Sequence, residues 1–108
     1  MHLPEEVINV KDGDVVAVDL ETYDPKLKTH GSGAIINKGF VCGIAIAYRD
    51  ETFYFPIKHK GPNLASNLVW KVLNKKIFQN KKIDKVFHNA MYDVCWIRSV
   101  TGLMPQGN

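Results

Sequence analysis

Cysteine is scarce in this chain, two in 108 residues, and Cys42 and Cys95 each sit inside an apolar run. That excludes a disulfide-stapled scaffold, which needs several spaced pairs, and leaves no C-x-x-C zinc site. Long hydrophobic runs are missing too: the densest, residues 41–47, is far shorter than the roughly 20 residues a helix needs to cross a bilayer. The opening Met1-His2-Leu3-Pro4-Glu5-Glu6 lacks the basic-then-apolar order of a signal peptide. Together these absences predict a soluble, cytoplasmic protein with reduced thiols and no membrane partner. Proline (5) and glycine (8) are modest in number, and no tract is repetitive or low in complexity, which argues against a disordered or fibrous chain.

What remains is a composition for one small domain, 45% hydrophobic and too short for two cores. The net charge of +3 is a mild excess that decides nothing about partners. Its distribution is uneven: Asp12, Asp14, Asp19, Glu21 and Asp24 lie near the start, and Lys71, Lys75, Lys76, Lys81, Lys82 and Lys85 in one later stretch. Those lysines suit a solvated helix face, the commoner use, or a phosphate-binding patch.

Residues 15–20, Val-Val-Ala-Val-Asp-Leu, follow an Asp-Gly-Asp turn signal and read as a buried central strand. Residues 22–38 are turn-rich and aperiodic, a long loop of the kind that is often functional. Residues 40–48 and 52–56 form two β-rich runs, an antiparallel hairpin closed around Arg49-Asp50-Glu51. Asn63 is the expected cap of a helix whose Leu64, Leu68, Val69, Val72, Leu73 and Ile77 recur at three- and four-residue steps. Residues 83–87 read as a short strand, and Asn89 as the cap of a second helix with Tyr92, Trp96 and Val100 on one stripe, stopped by Gly102. The order β, β, β, α, β, α predicts an α/β mixed sheet, three strands antiparallel and the fourth parallel, with helices packed on it.

Two constellations carry chemistry. Asp19 and Glu21 alternate onto one face of the first strand with Cα atoms roughly 6.5–7 Å apart. If that face is dry, two adjacent carboxylates need a hard divalent cation, Mg²⁺ or Mn²⁺; if the strand simply ends there, both are wet. His88-Asn89-Ala90-Met91-Tyr92-Asp93 follows the fourth strand, and with Asn89 as cap Asp93 falls one turn into the helix. A parallel fourth strand beside the first would bring Asp93 to Asp19 and Glu21 at the carboxyl edge of the sheet. Tyr92, at this stage, is a packing aromatic first.

Asp19-Leu20-Glu21-Thr22 and, about 70 residues on, Asn89-Ala90-Met91-Tyr92-Asp93 resemble the D-x-E and N-x-x-[FY]-D motifs of the DEDD exonuclease superfamily. The surrounding text, Thr22-Tyr23-Asp24-Pro25, residues 41–47 and Tyr54-Phe55-Pro56-Ile57, looks like the proofreading domain of bacteriophage family A DNA polymerases, and the resemblance covers nearly the whole chain. It implies a ribonuclease-H-like fold and a 3′→5′ exonuclease acting on a single-stranded DNA 3′ end, with a polymerase domain in cis, in the cytoplasm of an infected bacterial host. Two metal ions, Mg²⁺ or Mn²⁺, are implied: Asp19 bridges them, Glu21 ligates one and helps place the attacking water, and Asp93 holds the second. Thr22 matches a contact to the 3′-terminal nucleotide and Asn89 a contact to the trimmed strand, with Tyr92 beside them; Pro25 or Leu27 matches an apolar wedge. The family's third motif, a further Asp with a Tyr or His that orients water, is not among these residues, so residues 1–108 are expected to be the front part of an exonuclease domain and nearly inactive alone. Two alternatives stay open: a ribonuclease-D-like exoribonuclease, and a catalytically silent nucleic-acid-binding module of the same fold.

Overall fold

The computed structural model describes residues 4–24, 33, 39–59, 61–88 and 90–106. A short helical turn α1 (Pro4–Val7), not expected from the sequence, precedes the sheet. The strands are β1 (Val15–Tyr23), β2 (Phe40–Tyr48), β3 (Glu51–Pro56) and β4 (Asp84–Phe87), in the spatial order β3-β2-β1-β4. β1 pairs antiparallel with β2, β2 antiparallel with β3, and β1 parallel with β4, which is the mixed ribonuclease-H-like sheet expected. Helix α2 (Ser66–Leu73) runs on into a π-helical turn, Asn74–Phe78, and α3 (Ala90–Thr101) follows β4. No helix among the described residues is long and apolar enough to cross a membrane.

Period-2 alternation sets the core. Val16, Val18 and Leu20 face inward from β1 at 0%, 2% and 7% exposure, in cross-strand rows with Ile46 and Phe53 and with Ile44 and Phe55. From the helices, Val69, Trp70, Val72, Leu73, Ile77, Phe78, Trp96 and Ile97 close over those rows. Burying a side chain of this size is worth about 1.5–3 kcal/mol, so this single layer holds the fold.

Several expectations are corrected. β1 is not buried on both faces: Val15, Ala17, Asp19 and Glu21 are exposed, because the core residues of the described helices pack against the opposite face. It also runs three residues further than expected, since Glu21, Thr22 and Tyr23 go on pairing with β2 across an irregularity between Glu21 and Thr22. Glu51 belongs to β3, leaving a two-residue turn in which Arg49 and Asp50 both adopt positive φ (47° and 64°), as a tight hairpin requires. Asn63 caps no helix. α2 starts after Ala65, while the Asn63 amide accepts the His59 N–H at 2.8 Å and donates to the His59 and Gly61 carbonyls at 2.9 and 3.2 Å. Leu68 and Val100, placed on apolar stripes, are 40% and 44% exposed. Gly102 does end α3, in the left-handed region (φ 76°) with its N–H on the Arg98 carbonyl at 2.8 Å.

Candidate active site

The site begins with the parallel pairing of β1 and β4. Val18 lies opposite Phe87, so the chain leaves β4 at the level of Asp19 and enters α3 at the carboxyl edge of both strands. There the two sequence motifs touch. Thr22 Oγ1 and the Tyr92 hydroxyl are 2.8 Å apart, and Tyr92 donates to Asp24 Oδ2, also at 2.8 Å. Since the Tyr92 proton goes to the carboxylate, the Thr22 hydroxyl is the donor in the first bond, giving a directed chain Thr22 to Tyr92 to Asp24. Asp24 Oδ2 also accepts the Gly33 N–H at 2.8 Å. Burial pushes the Tyr92 hydroxyl pKa up, with Thr22 opposing and Asp24 reinforcing that shift.

The Thr22–Tyr92 contact thus joins the end of β1 to the first turn of α3. A family model described as 3′-5′ exonuclease matches residues 2–107. The chain belongs to this family. No curated protein and no solved structure matches it. The family implies a hydrolytic 3′-5′ exonuclease.

Asp19 and Glu21 share the outer face of β1 and are exposed, so the wet alternative describes their surroundings. Asp93 lies on the core-facing stripe of α3 with Trp96 and Ile97, only 2% exposed. The expected gathering of the three motif acids is thus not seen: Asp19 and Glu21 lie on the open face, Asp93 on a buried one, and among the described residues no three His, Cys, Asp or Glu side chains form a metal-holding group. Asn89, Pro25 and Leu27 fall outside the described residues. In donor chemistry Asp19 and Glu21 offer hard oxygens of the kind a divalent cation takes, on one accessible face, whereas Asp93 is buried one turn into α3. Asp19 also lines a shallow cavity of about 360 Å³ with His88, Phe87, Ala45 and Thr52.

Four residues of the site escaped sequence reasoning. Asp24 stood out in the sequence only in an acidic cluster and in the Thr22-Tyr23-Asp24-Pro25 stretch, yet it anchors Tyr92. Tyr54 O–H donates to Glu21 Oε2 at 3.1 Å, and His59 Nε2 stands 3.1 Å from Glu21 Oε1 while also contacting the Tyr54 hydroxyl. Burial and the Glu21 carboxylate push the Tyr54 phenol up to about 12. Gly43 lies opposite Glu21 in β2, and its lack of a side chain is what lets the Tyr54 hydroxyl cross above β2. A glycine inside a β-run marks a close approach of this kind, the one signal that could have found the arrangement.

Proposed function

We propose that this chain is the metal-binding front of a 3′→5′ exonuclease that trims a single-stranded DNA 3′ end, proofreading for a polymerase domain in the same protein. The observation that carries this reading is the Thr22–Tyr92 hydrogen bond, which joins the end of the D-x-E motif to the N-x-x-Y-D motif across 70 residues of sequence. Divalent ions held there would supply an activated water on one side of the phosphorus and stabilise the leaving 3′-oxygen on the other. Asp19 and Glu21 would hold them from the outer face of β1, and Asp93 from α3. Thr22 sits where the terminal nucleotide arrives, and its oxygen keeps acceptor capacity because its proton is spent on Tyr92. Tyr92 gains a second role beside packing, fixing Thr22 against Asp24. Asn89 is assigned to the strand being trimmed.

The test pairs thermal melts with a nuclease assay in the protein that carries this chain. Mg²⁺ or Mn²⁺ should stabilise the wild type by mass action and Asp19→Ala much less. Without metal, the variant should be as stable or more so, because a like charge beside Glu21 is gone. Single-stranded DNA should be shortened from its 3′ end by the wild type alone, and faster than RNA of the same sequence. Equal metal shifts in both proteins remove Asp19 from the site; preferential trimming of RNA overturns the proofreading assignment.

A further inference from the structure

Both carboxylate oxygens of Glu21 have a protein partner, and the surroundings are built to hold them. Tyr54 donates to Oε2 and His59 approaches Oε1. Because the Tyr54 proton is committed to Glu21 and the carboxylate only accepts, the His59 contact requires its ring proton on Nε2. The two rings meet edge to face, 5.6 Å between centroids at 78°, which limits the swing of either.

Each holder is itself held by backbone design. Tyr54 pairs with Ala45, one pleat along β2 from the Gly43 that faces Glu21, so its side chain must run diagonally across β2 to reach the carboxylate. A Cβ at Gly43 would stand 1.9 Å from the Tyr54 hydroxyl oxygen and 2.4 Å from the ring carbon bearing it, so any other residue there displaces the donor. His59 is fixed from behind by Asn63, whose side chain accepts its N–H and donates to its carbonyl, as a strand would. Three elements distant in sequence are thereby spent on orienting one exposed glutamate. Surface Glu side chains are ordinarily free to rotate, and a lone exposed pair would contribute little to stability.

We propose that Tyr54 and His59, through the opening at Gly43 and the Asn63-braced loop, are positioning residues that preorganise the Glu21 carboxylate for its divalent cation. This rests on the exonuclease reading of Glu21. Hydrogen-bonded partners that orient a metal's carboxylate ligand typically carry 10- to 100-fold in affinity or activity. Tyr54 is 37% exposed and outside the β3 core, so Tyr54→Phe leaves the β3 core residues untouched.

The experiment is an Mn²⁺ titration of the chain, followed by the electron paramagnetic resonance signal of free Mn²⁺, with a thermal melt of every variant. Wild type, Tyr54→Phe, His59→Gln, Gly43→Ala, Glu21→Gln, Asp19→Asn and the double variant Tyr54→Phe/Glu21→Gln are compared. Tyr54→Phe should weaken Mn²⁺ binding by roughly 10- to 100-fold with an unchanged melt in the absence of metal, and have no further effect once Glu21 is Gln. His59→Gln, which keeps a donor, should lie between wild type and Tyr54→Phe. Gly43→Ala should reproduce the Tyr54→Phe loss by moving the hydroxyl away. If Glu21→Gln and Asp19→Asn weaken Mn²⁺ binding while Tyr54→Phe does not, or tightens it, the positioning role is overturned and the exonuclease reading stands. If neither acid variant changes Mn²⁺ binding, or the wild type binds none, the exonuclease reading of these acids falls and the positioning role with it.

Discussion

The two faces of β1 are made from alternate residues of one segment, yet they obey different rules. The inner face, Val16, Val18 and Leu20, is covered by helices and continued by Ile44, Ile46 and Phe55 at 0–1% exposure. The outer face, Val15, Ala17, Asp19 and Glu21, is open, and its order comes from polar contacts reaching Glu21 from β3 and the loop after it. One face therefore stores stability, and the other is the one proposed to present chemistry. Substitutions on the first should unfold the protein; those on the second should alter ligand binding and leave the fold intact.

The sharpest break of that contrast is Asp19→Ala. If Asp19 holds metal as proposed, its loss should remove several kcal/mol of transition-state stabilisation, about three or more powers of ten in trimming rate, with the apo melt unmoved or raised. A nuclease assay beside calorimetry reads both. A variant that unfolds instead would make the outer face structural. Phe55→Ala, fully buried behind β3, should cost about 3–5 kcal/mol in chemical denaturation, the largest stability effect of these substitutions.

Tyr92→Phe lies between the faces. It deletes the bonds to Thr22 and Asp24 but keeps the edge-on packing against Trp96, so a loss of about 1 kcal/mol is expected in urea. A loss as large as that of Phe55→Ala would show that the edge network belongs to the core. Alkaline titration sharpens the outer face. Tyr54 is held neutral up to about 12 by burial and by Glu21, whereas an unfolded tyrosine loses its proton near 10. The stability Tyr54 contributes is thus complete below about pH 10 and declines as the pH climbs toward 12, so Tyr54→Phe should flatten that part of the stability curve. Smallest of all, Val86→Thr should change stability by less than about 0.5 kcal/mol, since Val86 is 55% exposed on the open face. A larger loss would mean that something covers this face in solution.

Legibility followed the kind of signal each residue sends. The hairpin, β4 and the Gly102 stop were readable because β-branched runs, turn dipeptides and a glycine after a helix each have one dominant structural use. The open face of β1 was not, because Val15, Val16, Ala17 and Val18 are apolar on both sides and such a run carries no record of which side is covered. Asn63 misled for a related reason: an Asn side chain satisfies loop backbone groups as readily as helix N–H groups, and only the position of His59 decided between them.

By itself, then, the sequence determined the element order from β1 onward, the mixed sheet and the two motifs, because periodicity and turn chemistry act over a few residues and can be read locally. Only tertiary structure decided that Thr22 meets Tyr92, that Asp93 is buried while Asp19 and Glu21 are open, and that Tyr54 and His59 close on Glu21. Those contacts join segments from 33 to 70 residues apart, and their geometry depends on strand register and on the space left at Gly43. Register is a property of paired strands, and no single stretch of chain contains it.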